Sequence, residues 1–145
     1  MKKVVFVCLG NICRSPMAEF VMKSLTDEYE IESRATSSWE HGNPIHKGTQ
    51  KIFKAHEIPY DSSKTSQQIS KKDFEYFDYI IGMDESNLLD LTRMCPQDQQ
   101  HKLEAFASEG VPDPWYTGDF DETYDRVLNG CQAWLTRLEN EAKNG

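Results

Sequence analysis

The sequence has 145 residues, 38% of them apolar and 28% charged, and a net charge of −8 at pH 7. That length suits one domain, 1–145, around one hydrophobic core, and the acidity argues against nucleic acid or an anionic membrane as a standing partner. No stretch approaches the roughly 18 apolar residues needed to cross a bilayer, and the four scattered cysteines, with no Cys-x-x-Cys pair, argue against a zinc ribbon or a disulfide scaffold.

In chain order, Lys3 to Cys8 (KVVFVC) is a β-branched apolar run closed by a glycine turn, the pattern of a strand buried on both faces. Val4 to Leu9 contains a cysteine, breaks at Gly10 and lacks a small-residue cleavage site. It does not read as a signal peptide, so a cytoplasmic location is expected. Ser15 is predicted to cap a helix with Pro16 at its first position, and Met17, Phe20, Val21, Ser24 and Leu25 follow at helical spacing. Ile31 to Ser38 predicts a second strand, and His46 to His56 a helix after the Gly42-Asn43-Pro44 loop.

Asp78 to Met83 (DYIIGM) predicts a third strand, DESNLLDLTRM from Asp84 the helix after it, and Lys102 to Phe106 a fourth strand. Phe120, Tyr124, Val127, Leu128, Cys131, Trp134, Leu135 and Leu138 share one side of a final long helix. Strands alternating with helices imply right-handed crossovers and an α/β fold: three layers, with a central, mostly parallel four-stranded sheet flanked by helices on both faces. Ligands of such sheets bind beyond the carboxyl ends of the strands, where Cys8 ends the first one.

Five residues, Leu9-Gly10-Asn11-Ile12-Cys13, separate Cys8 from Arg14, and the chain must turn tightly among them to feed a helix. Gly10 lacks a Cβ and Asn11 tolerates the left-handed region. Such a turn aims consecutive backbone N–H groups at one point, the helix adds the positive end of its dipole, and Arg14 can grip two oxygens in a planar fork. The predicted ligand is a tetrahedral oxyanion. A cysteine beneath it feels amide dipoles, a helix N-terminus and a guanidinium, each favouring thiolate over thiol. Ser15 is expected to donate a hydrogen bond to the Cys8 sulfur.

VCLGNICRSP at 7–16 together with DPWY at 113–116 closely resembles the low-molecular-weight protein tyrosine phosphatases, and the likeness extends through ATSSWEHGNP, FDYIIGMDESN and the last helix. The resemblance implies hydrolysis of phosphotyrosine and small aryl phosphates, with Cys8 as nucleophile, Arg14 and the amides of Leu9, Gly10, Asn11, Ile12 and Cys13 as phosphate ligands, and Asp113 as general acid and then base. Pro112 and Pro114 stiffen the turn that carries Asp113. Trp39, Trp115 and Tyr116 are expected to wall the pocket, since aromatic walls suit a phenyl ring. Ser33 resembles a family serine that supports the loop asparagine; the histidine with which some members brace that asparagine has no counterpart in YDSSKTSQQ. Expected partners are phosphotyrosine-containing proteins or peptides, with inorganic phosphate as product; no metal or cofactor, and a monomer or weak homodimer.

Arsenate reductases share the loop but relay a disulfide through two further cysteines near the third strand, where this chain has Gly82 and only a distant Cys95. Arginine phosphatases typically carry threonine where this chain has Ile12. A phosphocarrier would have little use for Asp113, and an inert binding module would be expected to lack Cys8 or Arg14. Cys13 reads either as a small buried residue or as a thiol able to trap an oxidised Cys8 in a reversible disulfide. The four histidines, at 41, 46, 56 and 101, lack metal-ligand spacing and read as solvated.

Overall fold

The computed structural model describes residues 1–144. Four strands, β1 (Lys3–Cys8), β2 (Glu30–Ala35), β3 (Tyr79–Gly82) and β4 (Leu103–Ala105), form one sheet in the order β2-β1-β3-β4, every neighbouring pair parallel. Parallel neighbours need crossovers. These are supplied by α1 (Arg14–Leu25) between β1 and β2, α2 (Lys47–Ala55) and α3 (Lys71–Tyr76) before β3, and α4 (Glu85–Met94) with a 3-10 turn (Gln97–Lys102) before β4. A four-residue helix, α5 (Pro114–Thr117), and the long α6 (Phe120–Asn144) complete the described chain.

The central strand explains the layering. Val4, Phe6 and Cys8 join a core cluster with α1, α2 and α6, whereas Val5 and Val7 join a second cluster with Phe74, Phe77 and Leu91 on the other side. Alternate side chains of a strand face opposite ways, so a run apolar at every position needs cover on both faces. All eight apolar residues predicted for one side of α6 pack against the first cluster. The three-layer α/β/α architecture with a four-stranded parallel sheet is the one predicted. Among the described residues no helix is long and apolar enough to cross a membrane.

Several boundaries differ from expectation. β2 stops at Ala35 rather than Ser38, because Thr36 and Ser37 turn their N–H groups to the carbonyls of Cys8 and Leu9 at 2.9 and 3.1 Å. α1 begins at Arg14 with Cys13 as its N-cap, so Ser15 lies inside the first turn instead of capping it. Pro16 is still tolerated, since the first helical N–H groups have no intrahelical acceptor. α3 was not anticipated: six mostly charged residues carry little periodicity, and its stability comes from a capping box between Ser70 and Asp73 and from burial of Phe74.

Candidate active site

β1 delivers Cys8 to the carboxyl edge of the sheet, and the five residues after it curl over the sulfur. Asn11 holds φ at +56°, the left-handed turn of the loop, and its backbone N–H donates to Cys8 Sγ at 3.3 Å. Ser15 Oγ lies 3.1 Å from the same sulfur. A cleft of about 240 Å³ opens above. Cys8, Leu9, Gly10, Ile12, Cys13 and Arg14 line it from the loop side, and Trp39, Asp113, Trp115 and Tyr116 line it from elsewhere in the chain. Trp39 and Tyr116 are 77% and 76% exposed, which puts them at the mouth.

Arg14 is only 2% exposed, and its guanidinium is held from several sides. Nη1 donates to Asp84 Oδ2 at 2.6 Å and to the Val111 carbonyl at 3.0 Å, and Nη2 reaches Asp113 Oδ2 at 3.4 Å. Burial works against its charge, but Cys8, Asp84 and Asp113 outweigh it and hold its pKa above the ordinary arginine value. The contacts to Asp84 and Val111 fix the plane of the fork. Gly110 makes this possible: a Cβ there would come within 2.9 Å of Asp84 Cβ, so only glycine lets the acid-bearing turn pass so close.

Asp113 caps α5, its Oδ1 accepting the Trp115 N–H at 3.0 Å. Pro114 occupies the first helical position, where a missing N–H has no consequence. The acid is therefore held by a local cap on one carboxylate oxygen and by Arg14 on the other.

Behind the loop runs a buried hydrogen-bond chain. Asn11 Nδ2 donates to Ser15 Oγ at 2.8 Å and to Ser33 Oγ at 3.0 Å, and Ser33 Oγ donates to Glu19 Oε1 at 2.6 Å. Glu19 pairs with Lys23 at 2.7 Å and Lys64 at 3.5 Å. A carboxylate only accepts, so the Ser33 proton points to Glu19, its oxygen can accept from Asn11, and Ser15, accepting from Asn11 in turn, keeps its own proton for another acceptor. Its candidates are Cys8 Sγ at 3.1 Å and the Arg34 carbonyl at 3.3 Å.

Where a histidine brace is missing, three other groups support the loop. The Gln67 backbone N–H donates to Asn11 Oδ1 at 3.1 Å, Ser66 Oγ to the Gly10 carbonyl at 2.7 Å, and Lys64 Nζ to the Ser33 carbonyl at 2.9 Å. Burial pulls the Lys64 pKa down, and Glu19 opposes that shift.

Cys8, Arg14 and Asp113 are brought together, as are Leu9, Gly10, Ile12, Cys13, Trp39, Trp115 and Tyr116. Asn11 and Ser15 do not line the cleft: the side chain of Asn11 turns inward beneath the loop and Ser15 is fully buried, while the Asn11 N–H and the Ser15 hydroxyl meet the Cys8 sulfur from below. All four cysteines are unpaired, and the Cys13 thiol is pushed up to about 12 by burial and by the nearby Cys8 and Asp113 charges. Sequence reasoning missed Asp84, Glu19 and also Glu40, which lines the cleft beside Trp39. Asp84 carried a usable signal, an aspartate between a strand end and a helix, and it does cap α4 through the Asn87 N–H at 2.7 Å. His46 is not solvated; it lies half-buried between Trp115 and Phe120.

A family model described as low molecular weight phosphotyrosine protein phosphatase matches residues 3–144. The chain is 41% identical over 152 residues to the low molecular weight protein-tyrosine-phosphatase PtpA of Staphylococcus aureus, covering 98% of this chain and 97% of the relative. Among solved structures it superposes on SP-PTP, a low molecular weight protein tyrosine phosphatase from Streptococcus pyogenes, with 60% identity, a TM-score of 0.90, and 95% and 93% of the two chains covered. A Drosophila arginine phosphatase is also similar, at 32% identity and a TM-score of 0.86, with 95% and 98% covered.

Proposed function

Since the chain belongs to the low molecular weight phosphotyrosine protein phosphatase family, we propose that it hydrolyses phosphotyrosine in proteins or peptides, and small aryl phosphates, through a phosphocysteine intermediate. The observation that carries this reading is the Cys8 sulfur, which accepts the Asn11 N–H and contacts the Ser15 hydroxyl, within a cleft that also presents Arg14 and Asp113. A thiolate so held is a nucleophile rather than a packed side chain.

In the first step the Cys8 sulfur attacks phosphorus in line, the S–P bond forming as the P–O bond to the aryl group breaks. Arg14 and the loop amides take the equatorial oxygens, and protonated Asp113 gives its proton to the departing oxygen, so tyrosine leaves neutral. In the second step ionised Asp113 takes a proton from water, the water oxygen attacks phosphorus, and the P–S bond breaks. Inorganic phosphate leaves, and the returning sulfur anion is met by the Ser15 hydroxyl. Every group required belongs to the chain or to water.

Trp39, Trp115 and Tyr116 at the mouth suit a planar ring above a phosphate, and a phosphoserine is too short to bring its phosphate to the sulfur while resting on them. Ile12, which lines the cleft, favours an aryl ester over a phosphoarginine guanidinium, because it offers no hydrogen-bonding group. Rapid-quench kinetics on aryl phosphate and on phosphotyrosine, phosphoserine and phosphoarginine peptides test the proposal. The expected result is a phenol burst, a trapped phosphocysteine, preference for phosphotyrosine, and loss of turnover by about 10⁴-fold or more in Cys8→Ser. Turnover that survives Cys8→Ser would end it.

A further inference from the structure

We propose that His46 is a positioning residue for the general acid: its imidazole, packed against Trp115 and Phe120, fixes the turn carrying Asp113 relative to the phosphate loop. The inference rests on the reading of Asp113 given above and deepens it.

His46 is tied to the phosphate loop through its backbone, whose N–H donates to the Ile12 carbonyl at 2.9 Å. Its ring is fixed independently. Nδ1 accepts the Gly48 N–H at 2.9 Å, capping α2, so the neutral ring carries its proton on Nε2 and its plane is set by the cap. In that orientation it stacks on Phe120, with centroids 5.1 Å apart and planes 23° apart, and meets Trp115 edge to face at 5.8 Å and 82°. Phe120 is pressed against the start of α2 as well: a Cβ on Gly48 would come 2.4 Å from its ring, so the close approach demands glycine. Trp115 belongs to the same turn as Asp113, whose Oδ1 accepts its N–H, and Phe120 opens α6 just after that turn.

The need for such a tie follows from the proton cycle. While ionised, Asp113 is held by Arg14. To act as an acid it must be protonated, and a neutral carboxyl has no ion pair to offer, while the substrate oxygens compete for the same guanidinium. Positioning at that moment has to come from groups that do not depend on charge, namely the cap at Asp113 and the aromatic packing of His46.

A misplaced acid is diagnosed by the leaving group, because a good leaving group needs no proton. The measured quantity is kcat/KM, which covers the steps up to phenol release, for phenyl phosphate and for 2,4-dinitrophenyl phosphate. His46→Ala is expected to lower the first about tenfold and the second less than about twofold, with inhibition by inorganic phosphate unchanged. His46→Phe, which keeps a ring, should recover most of the loss. His46→Asn keeps an acceptor for the Gly48 N–H and removes the ring; it should lose as much as His46→Ala and serves where that variant does not fold. In an Asp113→Ala background His46→Ala should cost nothing further. Equal losses on both esters, or a loss that persists without Asp113, would overturn the inference while leaving the acid in place. If Asp113→Ala itself slowed both esters equally, the reading of Asp113 would fall, and this inference with it.

Discussion

The loop that follows β1 and the turn that carries Asp113 face each other across one cleft but are built in opposite ways. The loop is contiguous, residues 8–14, almost wholly buried, and held by backbone amides and a chain of side-chain hydrogen bonds reaching Glu19. The turn that carries Asp113 comes from about a hundred residues later, leaves Trp115 and Tyr116 exposed, and is held by a short cap, one arginine and ring contacts. Binding a dianion demands donors that do not move, because preorganised dipoles lose nothing to rearrangement at the moment of reaction. Moving a proton demands only that one carboxyl group be within reach at the right time, so a lighter scaffold suffices.

That contrast can be broken at four points, in descending order of effect. The first is the chemical state of the loop cysteines. Burial, then Cys8 and Asp113, push the Cys13 thiol up to about 12, so the folded protein holds that proton more tightly than the unfolded chain. The resulting stabilisation is intact below the unfolded thiol value of about 8.5 and is lost as pH climbs toward 12. At pH 8 iodoacetamide should therefore label Cys13 about 10³-fold more slowly in the native protein than in urea, while Cys8 is labelled first and shielded by phosphate. Equal labelling of the two in peptide mass spectra would show that the loop does not distinguish them. Second, Asp113→Asn should lower kcat/KM for phenyl phosphate about 10²-fold yet leave the affinity for inorganic phosphate nearly unchanged, since the two halves are separately built. A parallel fall in phosphate affinity would show that they are not.

Third, Asp84 touches both halves, pairing with Arg14 and packing beside Gly110 of the second turn, and it caps α4 as well. Asp84→Ala should cost about 2 kcal/mol in urea unfolding, the sum of a lost cap and a half-buried charge pair, and Asp84→Asn less because it keeps the cap. Equal costs for the two variants would mean that the cap contributes nothing. Fourth, Trp39→Ala at the exposed mouth should raise KM for a phosphotyrosine peptide about threefold without changing the unfolding midpoint, because its ring leaves little buried surface to lose. A drop in the midpoint would place Trp39 in the core's energetics instead of at the rim.

Much of this was legible from local pattern. The strand ending at Cys8, the turn at Gly10-Asn11 and a helix carrying Pro16 in its first turn follow from apolar runs, a residue that accepts left-handed φ, and a proline near a helix start, although the helix opens two residues earlier than expected. Asp113, Trp115 and Tyr116 came into view through resemblance rather than through periodicity, since an Asp-Pro pair by itself reads as an ordinary turn. Ser15 was misread as a cap because serine before proline is a common helix start, but its contact with the Cys8 sulfur, found at 3.1 Å, was expected. His46 looked solvated because nothing within ten residues of it is the ring it packs against.

The sequence alone determined the four strands in chain order, the long helices and the tight loop between Cys8 and Arg14, because each depends on residues within a turn or two of one another. Tertiary structure decided what covers that loop: Asp84 on Arg14, Glu19 and Lys64 behind Asn11, Gln67 in place of a histidine, and His46 beneath the acid turn. Those pairings join residues up to about 70 positions apart. Their partners are chosen by the packing of whole helices on the sheet, and periodicity within any one segment carries no record of that choice.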